Sequence, residues 1–370
     1  MRVLIVRIGA LGDVVHAMPA VAALRELRPD WEIGWAIEPV WRALLVAGKG
    51  SVLPQPSRDQ PRSGWGTRSL TMPLVDGWFG VDTRRWKRRG VSAATISSVL
   101  GLRKELRSVR FDLCVDMQGT IRSAVVGRMA GAGQFLGLAA PRESAAQLLY
   151  GERVAVRTTH VVEQGCELLG AAIGEALWPG KVVLPVDEAA EHWCDALGLK
   201  GPFVVIAPTA GWGAKEWPPK RYGAVAAALG EAGFGVMVNS WGLDRAADIV
   251  VRASKGFARA VPCSVGQMIA LMRRAALVIG GDTGPVHLAA ALERPVVGIY
   301  GPTDPARNGP YGVGSIFPGR VLRDASSVTS HKRIAEAEDG LLRIRVEEVV
   351  EAAWTVLEES IGSSSGDRTI

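Results

Sequence analysis

Asp282, Thr283, Gly284 and His287 stand close together in the stretch Gly280-Gly281-Asp282-Thr283-Gly284-Pro285-Val286-His287, where an apolar run at residues 275–279 ends. A carboxylate, a hydroxyl and an imidazole around a glycine-rich turn suit a phosphorylated ligand. Two glycines let a phosphate approach closely. Pro285 then opens a helix, because a proline at the first helical position gives up an N–H that has no partner there anyway. The free N–H groups of that helix start, with the positive end of its dipole, make an anion site. A second loop, residues 208–218, carries Thr209, Gly211, Gly213 and Lys215 after another apolar run. Glycines, a hydroxyl and a lysine in that position suit a diphosphate, with Lys215 as a mobile point charge. The plain alternative is a surface loop with an exposed lysine, and the second phosphate-like loop in the same half weakens it. Asp244 ends a third loop, where its carboxylate serves either two ribose hydroxyls or the start of a helix.

Asp13 follows the first apolar run through the turn Gly9-Ala10-Leu11-Gly12. It reads either as the N-cap of a helix starting at Val14 or as a general base at the tip of a strand. Two glycines spaced this way do not make a dinucleotide fingerprint, which needs a third.

These side chains need strands that end together and helices that start there. Residues 2–8, 111–116, 203–207, 234–238, 275–279 and 296–300 read as parallel strands, each followed by a turn and most by a helix. Arg122 sits near the start of the helix after residues 117–120, and residues 134–166 mix helix and loop around Arg142, Glu143 and His160. A proline- and glycine-bearing stretch at 178–202, with a short helix at 189–197, separates two such α/β runs. The expected organisation is an α/β protein with an N-terminal domain at 1–180, a linker at 181–202 and a second domain at 203–345. An amphipathic helix at 346–360 and a flexible tail at 361–370 follow. Two doubly wound domains facing a cleft are the architecture this favours.

A length of 370 residues suits two domains with separate cores. Cys114, Cys166, Cys194 and Cys263 have no metal-binding spacing and read as small buried hydrophobes of a reducing compartment. Neither a signal peptide nor a membrane span is expected, which points to the cytoplasm. The net charge of +6 is concentrated: residues 58–110 hold twelve Lys/Arg against four Asp/Glu, peaking at Arg84-Arg85-Trp86-Lys87-Arg88-Arg89. This is either a solvated loop or a surface for an acidic partner, and no nucleic-acid motif accompanies it.

The sequence resembles the lipopolysaccharide heptosyltransferases. The resemblance rests on Arg-Ile-Gly-Ala-Leu-Gly-Asp at 7–13, Asp-Met-Gln-Gly-Thr-Ile-Arg-Ser-Ala at 116–124, Lys-Glu-Trp-Pro at 215–218, and the Gly-Asp-Thr-Gly-Pro-Val-His block with its Tyr-Gly-Pro-Thr-Asp-Pro at 300–305. The basic block and the Arg142-Glu143 pair tilt it toward the members that add the first heptose to the Kdo–lipid A core. The resemblance implies a GT-B fold of two Rossmann-like domains, with the C-terminal helix packing back on the N-terminal domain. It implies inverting transfer of L-glycero-D-manno-heptose from ADP-heptose to Kdo, with no metal or other cofactor and with Asp13 as general base. Thr209, Lys215, Asp282, Thr283, Gly284 and His287 would meet the donor's phosphates and sugar. Asp244 stands about where the family puts a glutamate against the ribose, and Cys263 where relatives can have methionine against the adenine. Arg84, Arg85, Lys87, Arg88, Arg122 and Arg142 would meet acidic groups of the acceptor. The implied location is the cytoplasmic face of the inner membrane, with no nucleic acid and no obligatory protein partner. Readings left beside it are another nucleotide-sugar transferase of the family, a nucleotide-sugar epimerase, and a non-catalytic protein of anionic membrane surfaces.

Overall fold

The computed structural model describes residues 1–47, 73–90, 92–241, 244–330 and 334–365. Arg58, Arg62 and Arg68 of the basic stretch, Gly242 and Leu243 of the third loop, and residues 366–370 of the expected tail lie outside the described residues. The chain divides into two units, Met1–Pro185 and Val186–Ile370.

The first unit runs β1 (Arg2–Val6), α1 (Leu11–Leu27), β2 (Glu32–Ile37), β3 (Gly77–Gly80), α2 (Thr83–Arg89), α3 (Ala93–Val109), β4 (Leu113–Asp116), α4 (Ile121–Ala130), β5 (Gln134–Leu138), β6 (Glu152–Val154) and α5 (Val161–Ile173). All six strands are parallel, in the order β3-β2-β1-β4-β5-β6. Val3 to Val6 are fully buried, the unbroken apolar run expected of a central strand covered on both faces.

The second unit runs α6 (Glu188–Asp195), β7 (Phe203–Ala207), α7 (Pro219–Glu231), β8 (Gly235–Ser240), α8 (Arg245–Ala253), β9 (Ala258–Pro262), α9 (Val265–Arg274), β10 (Leu277–Gly281), α10 (Gly284–Ala291), β11 (Val296–Tyr300), α11 (Pro305–Asn308), β12 (Gly319–Arg323), α12 (Asp339–Arg343) and α13 (Val346–Ser365). Its sheet, β12-β11-β10-β7-β8-β9, is again parallel. Counted within each unit, both sheets have the strand order 3-2-1-4-5-6. In such a sheet the loops leaving the first and fourth strands part in opposite directions, and the gap they leave at the carboxyl edge receives ligands. That gap lies between β1 and β4 in one unit and between β7 and β10 in the other. Asp13 follows β1, Lys215 follows β7 and Asp282 follows β10. The topology therefore puts the chemistry-bearing residues at the two switch points.

Four expectations are corrected. The C-terminal helix packs within the second unit. Val349, Ala353, Val356 and Leu357 of α13 are buried in one cluster with Val204, Ile206, Trp217, Ile279 and Ile299 of the second unit. Its apolar face was legible, but the sheet that would receive it was not. The helix also continues to Ser365, through part of the expected tail. The stretch 181–202 is not all linker, because α6 is tied to α9 by ion pairs from Arg273 and Arg274 to Glu191. Finally, the strand expected at 275–279 is Leu277–Gly281, so Gly280 and Gly281 belong to the strand rather than the turn.

Candidate active site

At the first switch point, β1 passes through Arg7–Ala10 into α1. Asp13 is the third residue of that helix rather than its N-cap, which is Ala10. Its carboxylate accepts from the Ala10 N–H at 3.1 Å and meets the Arg7 guanidinium at 3.1 Å. Arg7 also donates to the Asp13 carbonyl at 2.9 Å and to the Met117 carbonyl. The Asp13 side chain keeps 29 % of its surface exposed. It is thus held in one orientation and still reachable, as a proton acceptor must be. The Gln118 side-chain carbonyl accepts from the N–H of Ile8 at 2.7 Å and of Gly9 at 3.4 Å, so the loop after β4 fixes the turn after β1. A Cβ on Gly9 would stand 2.8 Å from the Trp41 indole nitrogen, which is why this turn needs glycine there.

The basic residues come to the same sheet edge by different routes. Buried Glu38 accepts from the Thr83 hydroxyl at 3.0 Å and the Arg84 N–H at 2.9 Å, anchoring the start of α2. Arg84 lies over the Trp41 ring, 5.1 Å from its centroid, and so next to the Gly9 turn. Arg85, Lys87 and Arg88 are exposed on α2. Arg122 is the exposed second residue of α4, and exposed Arg142 follows β5. These two loops are joined: the Glu143 N–H donates to the Gly119 carbonyl at 2.9 Å, and the Glu143 carboxylate accepts from the Ile121 N–H at 2.8 Å. Gly119 has φ +70°, and the backbone nitrogen of Arg142 lies 3.0 Å from where its Cβ would be.

Beneath this edge lies Asp116, the last residue of β4, for which the sequence suggested no role. It is fully buried and accepts from the N–H groups of Gln118 and Gly119, the Ser123 hydroxyl and the Tyr150 hydroxyl, at 2.8–3.2 Å. Burial pushes its carboxyl above the ordinary range although all four donors pull the other way. Asp116→Ala strands buried donors and should cost about 2–4 kcal/mol, by the usual penalty for unsatisfied groups. Urea denaturation checks this, and a loss under 1 kcal/mol would show that the knot is dispensable.

At the second switch point the loop after β7 meets the loop after β10. Lys215 Nζ forms an ion pair with Asp282 Oδ2 and sits 4.2 Å from the centroid of the Trp212 ring. Lys215 is therefore a held charge, not the mobile one expected. His287, on the second turn of α10, meets Asp282 Oδ1 through Nε2 at 3.0 Å. Only 8 % of the Asp282 side chain is exposed. Burial alone would raise its pKa, but His287 and Lys215 hold the carboxyl well below the usual range. Thr283 is the N-cap of α10, and its buried hydroxyl has no hydrogen-bond partner. A hydroxyl left this way beside the free N–H groups of Gly284 and its neighbours suits an incoming anion. The strand glycines do other work: a Cβ on Gly280 would lie 2.9 Å from the Ala207 carbonyl, and one on Gly281 would lie 3.2 Å from the Lys215 carbonyl. Without side chains there, β10 packs closely against the end of β7 and the loop that follows it.

Asp244 is the N-cap of α8, accepting from Ala246 N–H at 2.9 Å, and its other oxygen accepts from the Thr209 hydroxyl at 2.6 Å. The cap reading is thus realised, and Thr209 and Asp244 form one pair. Cys263 accepts from the Asn239 side chain at 3.1 Å, and burial pushes its thiol up to about 11. Sequence reasoning missed Arg7, Gln118 and Glu38, which position the first edge. Glu38 and Gln118 meet partners 45 to 110 residues away, beyond what spacing can signal, whereas Arg7 pairs with Asp13 only six residues on, inside a turn whose shape the sequence does not state. Among the described residues, no group of three or more His, Cys, Asp or Glu is placed to hold a metal ion, and no helix is long and apolar enough to cross a membrane.

Known proteins agree with this geometry. The chain is 28 % identical to lipopolysaccharide heptosyltransferase 1 of Escherichia coli K12 over 326 residues, covering 84 % of this chain and 91 % of that one. It is 28 % identical to the protein of the same name from Pseudomonas aeruginosa over 335 residues, covering 86 % and 85 %. The structure of E. coli heptosyltransferase WaaC with ADP shares the fold, with a TM-score of 0.71 at 24 % identity over 97 % of this chain and 100 % of that one. These relatives are named as glycosyltransferases, and the epimerase and non-catalytic readings give way. The sequence model of glycosyltransferase family 9 (heptosyltransferase) matches residues 99–324, and this chain belongs to that family of glycosyltransferases.

Proposed function

We propose that the protein transfers a heptose from ADP-heptose to a Kdo hydroxyl of the lipopolysaccharide inner core, with inversion and without a metal ion. The observation that carries this reading is the oriented, part-exposed Asp13 carboxylate at the β1–β4 switch point. The acceptor oxygen attacks the anomeric carbon while its proton passes to Asp13. The bond from that carbon to the diphosphate oxygen breaks, and its electron pair leaves with ADP. Lys215, the Thr283 hydroxyl and the N–H groups at Gly284 meet the leaving charge, with Asp282 and His287 at the adjoining sugar and phosphate groups. Thr209, Asp244 and Cys263 complete the donor side around ribose and adenine. Relatives support the donor: WaaC has been solved with ADP and with ADP-2-deoxy-2-fluoro heptose. The names of the E. coli and Pseudomonas relatives support the heptose and the lipopolysaccharide.

In this reading Arg84, Arg85, Lys87, Arg88, Arg122 and Arg142 receive the acidic groups of a Kdo–lipid A acceptor, and the protein works at the cytoplasmic face of the inner membrane. Incubation with ADP-heptose and Kdo–lipid A should release ADP only when both are present, and mass spectrometry should find the heptosylated lipid. Release without acceptor dependence would defeat the proposal. Replacing Arg84, Arg85, Lys87 and Arg88 by Gln should raise the acceptor KM by roughly 10–100-fold, since each exposed ionic contact is worth up to about 1 kcal/mol. ADP affinity should not change. Added salt should reproduce part of the loss, because exposed charges are screened over about 8 Å at physiological ionic strength. An unchanged KM returns the block to a solvated surface.

A further inference from the structure

We infer that α2 and α3 form a membrane-docking face, with Ile96 and Leu100 entering the headgroup–acyl boundary of an anionic bilayer. On α3, Leu102 and Leu106 are buried in the core of the first unit. On another side of the helix Ile96, Leu100, Arg103 and Arg107 form a stripe at spacings of four, three and four residues, with Lys104 beside it. All five are exposed, Ile96 by 52 % and Leu100 by 55 %. Single exposed aliphatics are ordinary on protein surfaces. Here two stand one turn apart, with Arg103, Lys104 and Arg107 following them along α3 and five Lys/Arg preceding them in sequence on the adjoining α2. Between Arg84 and Arg107 the chain has eight Lys/Arg and one carboxylate, Glu105, which falls off the stripe. The two helices are also braced, since the Trp86 indole N–H donates to the Ser98 hydroxyl at 3.1 Å and Trp86 packs against the core.

Aliphatic tips beside clustered Lys and Arg are the chemistry of a helix lying in a membrane interface, where the tips enter the boundary layer and the cations meet lipid phosphates. A nucleic acid would use the cations but has no need of the aliphatics. A second copy of the same face would set eight cations against eight. The location fits as well: α2 and the first turns of α3 follow the carboxyl end of β3, the sheet edge that also carries Asp13 and Arg84. The inference rests on the proposed acceptor being a membrane lipid, and it adds the element that would hold the protein on that membrane.

The test is sedimentation of the full chain with vesicles of phosphatidylglycerol and phosphatidylethanolamine, against vesicles of phosphatidylcholine alone. Wild type should bind the anionic vesicles, and millimolar glycerol phosphate should not displace it. Ile96→Ser/Leu100→Ser should weaken that binding roughly tenfold through lost apolar burial. Arg103→Gln/Lys104→Gln/Arg107→Gln should weaken it and flatten its salt dependence. Both variants should keep the wild-type melting temperature and the wild-type rate of transfer to a soluble Kdo acceptor without acyl chains. Equal vesicle binding by the serine variant overturns the inference, as does displacement by glycerol phosphate, which would mark a bare anion site. A wild-type dimer that the serine variant dissociates, without vesicle binding, overturns it in favour of self-association. Absence of transfer to the soluble acceptor in wild type, with vesicle binding as expected, would refute the sugar-transfer reading and leave the docking face standing.

Discussion

Asp13→Asn is expected to slow sugar transfer by about 10²–10⁴-fold, the usual cost of removing a general base, while ADP affinity and melting temperature stay near wild type. The amide retains a carbonyl that can accept from the Ala10 N–H, so the start of α1 keeps its hydrogen bond. Arg7 loses the ionic contact but still donates to the Asp13 and Met117 carbonyls, so the turn remains pinned. An ion pair with part of its surface in water contributes up to about 1 kcal/mol, which bounds the effect on stability. In the proposed mechanism, what the variant lacks is a place for the acceptor's proton. Single-turnover transfer from ADP-heptose, with calorimetry of ADP binding, separates the two effects. A wild-type transfer rate would reduce Asp13 to an acceptor at a helix start.

Lys215→Ala should weaken ADP and ADP-heptose by roughly 10–100-fold, the worth of one hydrogen bond to a charged group, and leave adenosine binding unchanged. The ammonium has three donors, and the carboxylate of Asp282 occupies it in the structure. A bound diphosphate would share that charge. The same substitution leaves Asp282 buried with His287 alone beside it, so a stability loss of about 1–3 kcal/mol should accompany the affinity loss. Titration with the three ligands decides between the roles. An equal loss for adenosine would mean that Lys215 supports the loop rather than the phosphates.

The strands and the turn at Asp282–Thr283 were legible because both are written locally: buried parallel strands are continuous apolar runs, and a glycine-rich turn before a proline marks a helix start. The errors have physical causes. Ala275 is apolar and buried, yet it is the C-cap of α9, so hydrophobicity extended β10 two residues too early. Gly280 and Gly281 looked like turn residues, but a neighbouring backbone claims the space of each missing side chain. Asp13 was placed before its helix because Gly9 and Gly12 suggested a longer turn, whereas α1 begins at Leu11. Hidden altogether were pairings across the sheet. Gln118 holds a turn 110 residues earlier, and Lys215 meets a carboxylate 67 residues later. Local pattern states which residues can do chemistry; only the strand order states which of them meet.

Burial of α13 on the second sheet bears on how this chain is made. The helices covering the first sheet end with α5 at Ile173, so that unit has its core before the first strand of the second unit is made. The second core needs Val349, Ala353, Val356 and Leu357, which are translated well after β7, β10 and β11. Trp217 is likewise completed late, its indole N–H donating to the Ile344 carbonyl at 3.0 Å. At roughly 5–20 residues per second of elongation, the face of β7, β10 and β11 that α13 covers stays bare for some seconds after those strands emerge. A ribosome stalled or released early would therefore leave a finished first unit joined to an open second sheet, a target for chaperones and proteases.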